Sequence, residues 1–375
     1  MNQIGNRTGL PWQKRNMGDD EYLVIHEFIE RARNNLNRNV WDYLIGGSET
    51  ETSLARNRMA LDSVALRHRV LVDVSHIDAT SEFFGRAVRL PIALAPVGSL
   101  ESFEAGGGGT VARAASEFGI PFFCSSVTKP GLEAIAAAGA GPKVFQLYVR
   151  GDDAFVDDHV RRAVDAGYDA FCITVDTARY SRRERDLTKR FRKYWNNQVG
   201  VDFQAALSWK QIERFKAKHA IKLIIKGIGT AEDALQAVSV GVDSIYVSNH
   251  GGRQLDHCRG SFDVLAEVVP AVSGRAHIMV DGGFYRGTDI IKGIAMGADT
   301  IAIGRLYLYG LAANGAAGIV RLLELLEHEV EQSMGLTGVS SLAQLDRSYL
   351  HSAQPVVPPT VHSAFPHLHL PKEIY

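Results

Sequence analysis

The sequence predicts a single α/β domain folded as a closed (β/α)8 TIM barrel, and three observations predict it. Eight short β-branched or apolar runs recur along the chain, segments of helical periodicity separate them, and glycines close most of those segments. The runs are IALAP (92–96), FFCSS (122–126), VFQLYV (144–149), AFCITVD (170–176), KLIIKG (222–227), SIYVSN (244–249), HIMVDG (277–282) and TIAIGR (300–305). Nearly continuous apolarity implies strands buried on both faces, and helical crossovers imply parallel pairing. Segments such as VARAASEFG, GLEAIAAAG and GTDIIKGIAMGA place apolar residues three and four apart, as a helix docked on a sheet requires. Eight regular units favour closure over an open doubly wound sheet, which is the runner-up.

The barrel proper spans roughly 90–335 within one domain covering 1–375. Before it, Asp20–Asn37 reads as an amphipathic helix and NVWDYLIGGSETET as the start of a second, together an N-terminal helical segment over 20–60. Unit spacing is even except after the fourth run, where Thr177 to about Ser208 forms a lid insertion. That insertion is basic from Arg179 to Lys193 and carries Tyr180, Phe191, Tyr194 and Trp195. It reads as a loop over the barrel mouth, with contact to an anionic or membrane surface as a second reading. The tail, 336–375, has five of the twelve prolines between 355 and 375, plus His362, His367 and His369. It is expected to be an extended arm against a neighbouring subunit; a three-histidine metal site is a remote option.

Composition excludes several classes. With 41 Lys+Arg against 42 Asp+Glu the net charge is -1, so no nucleic-acid binding through bulk charge is expected. Cys124, Cys172 and Cys258 are odd in number and form no CxxC pair, which argues against a disulfide framework and a cysteine zinc site. The polar start lacks an apolar signal core, and no apolar run is long enough to span a bilayer. A soluble, cytoplasmic protein is the expectation.

Active sites of such barrels sit where the strands end. The polar residues there are Ser125, Gln146, Tyr148, Thr174, Asp176, Lys226, Ser248, His250, Arg253, Asp281 and Arg305. Any one could be a hydrogen-bonded core residue, but together they converge on one concave surface. The most informative string is SNHGGRQLD, Ser248–Asp256, directly after the sixth run. His250 can take a proton near neutrality, two glycines let the backbone turn against a ligand, and Arg253 offers a planar fork suited to a carboxylate. A base beside a carboxylate clamp is what oxidation at the α-carbon of a hydroxy acid requires. His250 alone would be read as a core histidine; the nine-residue string is not explained that way.

SNHGGRQLD resembles the signature of the FMN-dependent α-hydroxy-acid oxidase and dehydrogenase family. The resemblance runs in order from WDYLIGGSETE (41–51) through LVDVSHIDAT, LPIALAP, FQLYV, TVDTARYSRRERD, LIIKGI and DGG to GRLYLYGLAANGAAGI (304–319). It implies FMN as cofactor, no metal, and a small 2-hydroxy acid oxidised to the 2-keto acid, with oxygen, a quinone or a protein as electron acceptor. It also implies a homo-oligomer, commonly a tetramer. By the same resemblance His250 is the base and Asp176 the carboxylate that orients it. Arg253 and Arg183 hold the substrate carboxylate, with Tyr43 a further contact and Tyr148 a partner of the substrate hydroxyl. Lys226 stabilises the reduced flavin. Ser125, Gln146, Thr174 and Ser248 match ring and ribityl contacts, and Pro96-Val97-Gly98 the backbone passing the isoalloxazine. The phosphate is expected at Asp281-Gly282-Gly283 and Gly304-Arg305, on backbone amides and a helix N-terminus.

The chain departs from the family at several places. Tyr285 stands where arginine is usual, with Arg286 or Arg305 as possible substitutes for that phosphate contact. Gly98 replaces an alanine, which is expected to leave more room beside the flavin. FEAGGGGT (103–110) replaces a charged loop; lacking a following Lys-Ser/Thr, it reads as a loop entering a helix rather than a phosphate loop. Val127 and Tyr180 replace a bulky aromatic and an aliphatic residue, and Ala178 and Ser181 a proline and a glycine. These changes leave two alternatives open: a bulkier or amine-bearing substrate on the same flavin barrel, or oxidative decarboxylation. A flavin-free barrel is the third.

Overall fold

Three helices lead the chain into its barrel in the computed structural model, which describes residues 22–190 and 202–370. They are α1 (Ile25–Asn35), α2 (Arg38–Ile45) and α3 (Thr52–Asp62). In α1 the residues Ile25, Phe28, Ile29 and Ala32 are buried, the three- and four-residue spacing of one apolar stripe. Asn37 caps α2 by accepting from the Val40 amide at 3.1 Å. The strand β1 (Val64–Leu66) follows, then a hairpin of β2 (Ser81–Phe83) and β3 (Arg86–Val88).

The barrel strands are β4 (Ile92–Leu94), β5 (Phe122–Ser125), β6 (Lys143–Leu147), β7 (Ala170–Thr174), β8 (Lys222–Ile228), β9 (Ser244–Val247), β10 (His277–Val280) and β11 (Thr300–Ile303). All pair in parallel in sequence order, and β11 closes on β4 through Ile301 and Ile92. The eight expected runs are therefore the eight staves. Side chains alternate between a sealed interior and the helix-covered exterior. Ala93, Phe123, Val144, Cys172, Ile224, Tyr246, Met279 and Ala302 fill the interior, and Phe83 of the hairpin joins that cluster. Between and after the staves come α4 (Gly107–Phe118), α5 (Leu132–Ala138), α6 (Asp153–Asp165), α7 (Glu184–Thr188), α8 (Trp209–Lys218), α9 (Ala231–Ser239), α10 (Ser261–Val272), α11 (Gly287–Met296) and α12 (Arg305–Thr337). The glycine run of FEAGGGGT enters the first turn of α4, as read from the sequence.

Two elements differ from expectation. By length and apolarity, the 33-residue α12 could cross a membrane, although no such run stood out in the sequence. It is instead a core helix: 78% of its most apolar window is buried, and its path breaks at Asn314 and Gly315. The tail is not an arm reaching away from the chain. After β12 (Leu350–Ser352) pairs antiparallel with β1, the tail folds back on its own barrel. Phe365 is 3% exposed there, 5.6 Å from the Tyr285 ring and 5.5 Å from His26. His362 stacks on Trp41 and bonds Tyr309 Oη at 3.0 Å, while the His369 amide donates to Glu30. Among the described residues no three His, Cys, Asp or Glu side chains gather where they could hold a metal ion, and the tail histidines are no exception. An apolar ring on Tyr285 and His26 holds the tail on its own barrel.

Residues 191–201 of the basic insertion, with Phe191, Tyr194 and Trp195, lie outside the described residues. The part that is described, α7, sits against the pre-barrel segment. Arg185 grips Glu51 through two contacts of 2.5 and 2.8 Å, and Lys189 sits against buried Asp42. A lid thus docks by ion pairs on α2 and its following turn.

Because Phe365 is the one buried residue between 351 and 370, Phe365→Ala removes about 3 kcal/mol or more of packing. The expected outcome is a thermal midpoint several degrees lower, with proteolysis beginning in residues 353–370 while the barrel stays resistant. Unchanged digestion of the tail would show that it is held by something other than this ring.

Candidate active site

A cavity of about 370 Å³ opens at the carboxyl ends of the strands. Pro96, Val97 and Gly98 after β4, Tyr148 after β6, and Lys226 on β8 all face it. His250, Gly251 and Arg253 after β9, Asp281–Gly283 after β10, and Gly304 and Arg305 after β11 complete the barrel's share. Tyr43 arrives from α2 and Arg183 from the lid. Residues scattered over the sequence from 43 to 305 therefore meet at one rim.

His250 is placed by backbone chemistry. Its φ is +59°, a left-handed value uncommon outside glycine, and Gly251 and Gly252 continue at +63° and +73°. A Cβ on Gly252 would lie 2.5 Å from the Leu54 amide nitrogen, so this turn can approach α3 only with glycine there. The Ser248 hydroxyl accepts the His250 amide at 3.0 Å and fixes the turn from below. His250 Nδ1 lies 2.9 Å from Asp176 Oδ1, and Nε2 lies 3.3 Å from Tyr148 Oη.

The protonation states follow from what surrounds each group. Burial lowers the His250 pKa; Asp176 works against that, while Lys226 and Arg183 add to it, and the net shift is downward. Burial alone would raise Asp176, but His250 and Lys226 outweigh it and hold the carboxyl below its usual range. An ionised carboxylate accepts only, so the neutral imidazole donates Nδ1–H to Asp176 and leaves the Nε2 lone pair toward the cavity. Burial keeps the Tyr148 phenol protonated, so it donates toward Nε2. The close approach of β7 and β8 behind this pair depends on Gly227, at the irregularity in the β8–β9 pairing. At φ +113° a Cβ there would fall 2.7 Å from Asp176 Cβ.

Lys226 is 3% exposed, donates to Ser248 Oγ at 2.8 Å and lies 3.4 Å from Asp281 Oδ2. Burial disfavours its charge, yet Asp281 and Asp176 outweigh burial and raise its pKa. A fixed ammonium therefore stands at the cavity floor. Ser125, Gln146, Thr174 and Ser248 are buried beneath that floor rather than lining it. There Gln146 donates its amide to Thr174 Oγ1 at 2.8 Å, and its Oε1 has no partner.

Arg253 and Arg183 are like charges facing one space. Burial and the neighbouring Arg183 both push the Arg253 pKa down, as expected where two guanidinium groups face each other without an anion between them. One Arg253 amine donates to the Tyr43 and Gly46 carbonyls at 2.8 and 2.7 Å, and its plane lies 4.8 Å from the Tyr43 ring centre. Arg183 makes no ion pair among the described residues; it contacts Ser181 Oγ at 3.4 Å and the Tyr180 ring. An anion entering between the two guanidinium groups would relieve their repulsion.

At the opposite end α12 begins at Arg305 with no side-chain cap, so its first amides are open to an anion. A Cβ on Gly304 would meet nothing within 4 Å. The α11 start is closed, because Asp289 Oδ2 already accepts the Tyr285 and Arg286 amides at 3.0 Å. Arg286 does not replace the missing arginine: it faces Glu329 at 2.6 Å and the tail, away from the cavity. Arg305 lines the cavity but spends its donors on the Leu44, Gly46 and Gly251 carbonyls at 3.1, 2.8 and 3.0 Å. Tyr285, buried beside it, is the side chain that actually occupies the arginine position.

Residues 32–352 match the FMN-dependent dehydrogenase family, and the chain belongs to it. Glycolate oxidase of Spinacia oleracea is 37% identical over 353 residues, covering 88% of this chain and 96% of that protein. L-lactate oxidase of a Nostoc strain is 36% identical over 357 residues, covering 88% and 98%. A crystal structure of mandelate oxidase superposes with a TM-score of 0.83 at 38% identity, covering 90% of this chain and all of that one. The residues present fit FMN. The unpartnered acceptors Gln146 Oε1 and Asp281 Oδ1 suit the polar edge and hydroxyls of a flavin, and the uncapped α12 start suits a phosphate.

Sequence reasoning missed several lining residues: Phe103, Arg150, Asp202, Gln204 and Gln254. Arg150 was legible, since it stands two residues after Tyr148 in an extended run. Gln204 and Gln254 were not, because their role is to tie loops: Gln254 donates to the Asp176 and Arg179 carbonyls, and Gln204 bridges Val149 and Thr174.

The expected extra room at Gly98 is not there. Val127 Cγ2 lies 2.8 Å from where an alanine Cβ would stand, so the two positions are a matched pair. Gly98→Ala alone should cost about 1–2 kcal/mol through overpacking of a stiff β-branched neighbour. Adding Val127→Ala should recover most of it, measured as a double-mutant cycle in thermal unfolding. Additive effects would sink the pairing.

Proposed function

We propose that this chain, with bound FMN, oxidises an L-2-hydroxy acid to the 2-oxo acid, molecular oxygen being the final acceptor and leaving as hydrogen peroxide. The observation that carries the reading is His250: a neutral imidazole, held by ionised Asp176, directs Nε2 at a space bounded by two guanidinium groups. The oxygen assignment draws support from relatives named as oxidases of glycolate, lactate and mandelate.

Arg253 and Arg183 would bind the substrate carboxylate, and the Tyr43 ring would back it. That contact orients the hydroxyl toward Nε2, with the Tyr148 phenol as its second partner. His250 takes the hydroxyl proton, and Asp176 stabilises the imidazolium that forms, the electrostatic role of an orienting carboxylate. FMN supplies the acceptor for the hydrogen and electron pair released at the α-carbon. Gln146, Asp281 and the α12 amides would hold it, and Lys226 would face the charge it gains. Oxidative decarboxylation had Gly98 as its hint. With Val127 filling that space, the structural ground for it is gone.

His250→Gln should keep FMN bound yet slow anaerobic flavin bleaching by about 100-fold or more, the usual scale of a lost base. Bleaching at the unmodified rate would remove His250 from this role. The pH profile tests the same claim. A base must be unprotonated, and the His250 pKa is depressed below 6.5, so the rate is full at neutrality and falls as pH drops through the lowered value. Asp176 raises that pKa, so Asp176→Asn should move the acid limb to still lower pH while lowering the plateau rate.

A further inference from the structure

We infer that the substrate carries a second carboxylate, and that Arg150 at the cavity mouth receives it. This rests on the reading of the site as a 2-hydroxy-acid oxidase and names the class within it. Six cationic side chains line the cavity: Arg150, Arg179, Arg183, Lys226, Arg253 and Arg305. Only two carboxylates do, Asp202 and Asp281, an excess of four positive charges among the described residues. The phosphate of FMN contributes about two negative charges at neutral pH, as phosphate monoesters do, and the substrate carboxylate one. One positive charge is left over.

That charge is at the mouth. Lys226 is matched by Asp281, Arg305 stands at the phosphate end, and Arg253 and Arg183 face the first carboxylate. Arg179 is mostly exposed and approaches Asp202 only at 3.9 Å. Arg150 has no hydrogen bond or ion pair among the described residues. Its direction is set by backbone alternation. Tyr148 and Arg150 both line the cavity, while Val149 between them is buried and pinned to Gln204 at 2.7 Å, so the two flanking side chains face the same side. Tyr148 meets His250 Nε2, where the hydroxyl would react, and Arg150 stands one pleat repeat further out, roughly 6–7 Å. One or two methylenes span that gap, which points to a 2-hydroxydicarboxylic acid of four or five carbons.

The test pairs acids that differ only in the terminal group, using the FMN-loaded protein. (S)-Malate is set against (S)-2-hydroxybutyrate, and (S)-2-hydroxyglutarate against (S)-2-hydroxypentanoate, by anaerobic flavin bleaching. The corresponding 2-oxo pair, 2-oxoglutarate and 2-oxopentanoate, is compared by equilibrium perturbation of the oxidised flavin spectrum. At least one dicarboxylate should be favoured about tenfold, as a charge-assisted contact at a partly solvated site allows, with the advantage shrinking as salt rises. In Arg150→Gln the ratio should fall to near one, and Arg150→Lys should keep part of it. A ratio near one in the unmodified protein, or one unchanged by Arg150→Gln, overturns the inference. If no 2-hydroxy acid bleaches the flavin while 2-oxoglutarate still binds better than 2-oxopentanoate through Arg150, the subsite stands and the oxidation reading falls.

Discussion

The 2.9 Å bond between His250 and Asp176 is the interaction on which the rest of this site depends. It joins the end of β7 to the turn after β9, across the intervening β8. To make it, β8 gives up regular pairing at Gly227, and His250 accepts a backbone conformation that costs on the order of 1–2 kcal/mol. The hydrogen bonds of Ser248 and the packing of the glycine turn on α3 hold that conformation in place. Local strain of this kind persists only where the surroundings over-determine it.

The electrostatics are arranged in the same spirit. Cations far outnumber carboxylates around the cavity, and the fold keeps them apart by giving each a different tether. Lys226 leans on Asp281, while Arg305 and Arg253 use carbonyl oxygens of the stretch from Tyr43 to Gly46 and of Gly251. Carbonyls solvate a guanidinium without neutralising it. The positive potential therefore survives for anionic ligands, which a carboxylate partner would have cancelled.

Much of this was legible in the residues. Strand runs of continuous apolarity gave the staves because burial on both faces leaves no room for a polar alternation, and polar residues at their carboxyl ends had to face the rim. Tyr43 and Arg183 were found through resemblance, since nothing in their spacing places α2 or the lid over a barrel mouth. What stayed hidden was contact between distant segments. Val127 filling the Gly98 space, the tail ring on Tyr285, and Arg286 turning to Glu329 depend on side-chain shape and on which neighbour arrives first. Arg286 looked available for a phosphate because sequence adjacency to Tyr285 says nothing about which way the α11 start faces.

The first and last described helices of the chain are partners. Arg321 in α12 donates to the Tyr22 carbonyl 299 residues away, and Asn35 in α1 bonds the Ala312 and Ala313 carbonyls. The surface that receives α1 thus leaves the ribosome long after α1 itself. During synthesis α1 has no α12 to dock on until the final stave and its helix emerge. The emerging polypeptide must therefore keep the Ile25–Phe28–Ile29 stripe out of wrong associations until α12 follows it. Docking of the first helix waits on the helix that follows the final stave.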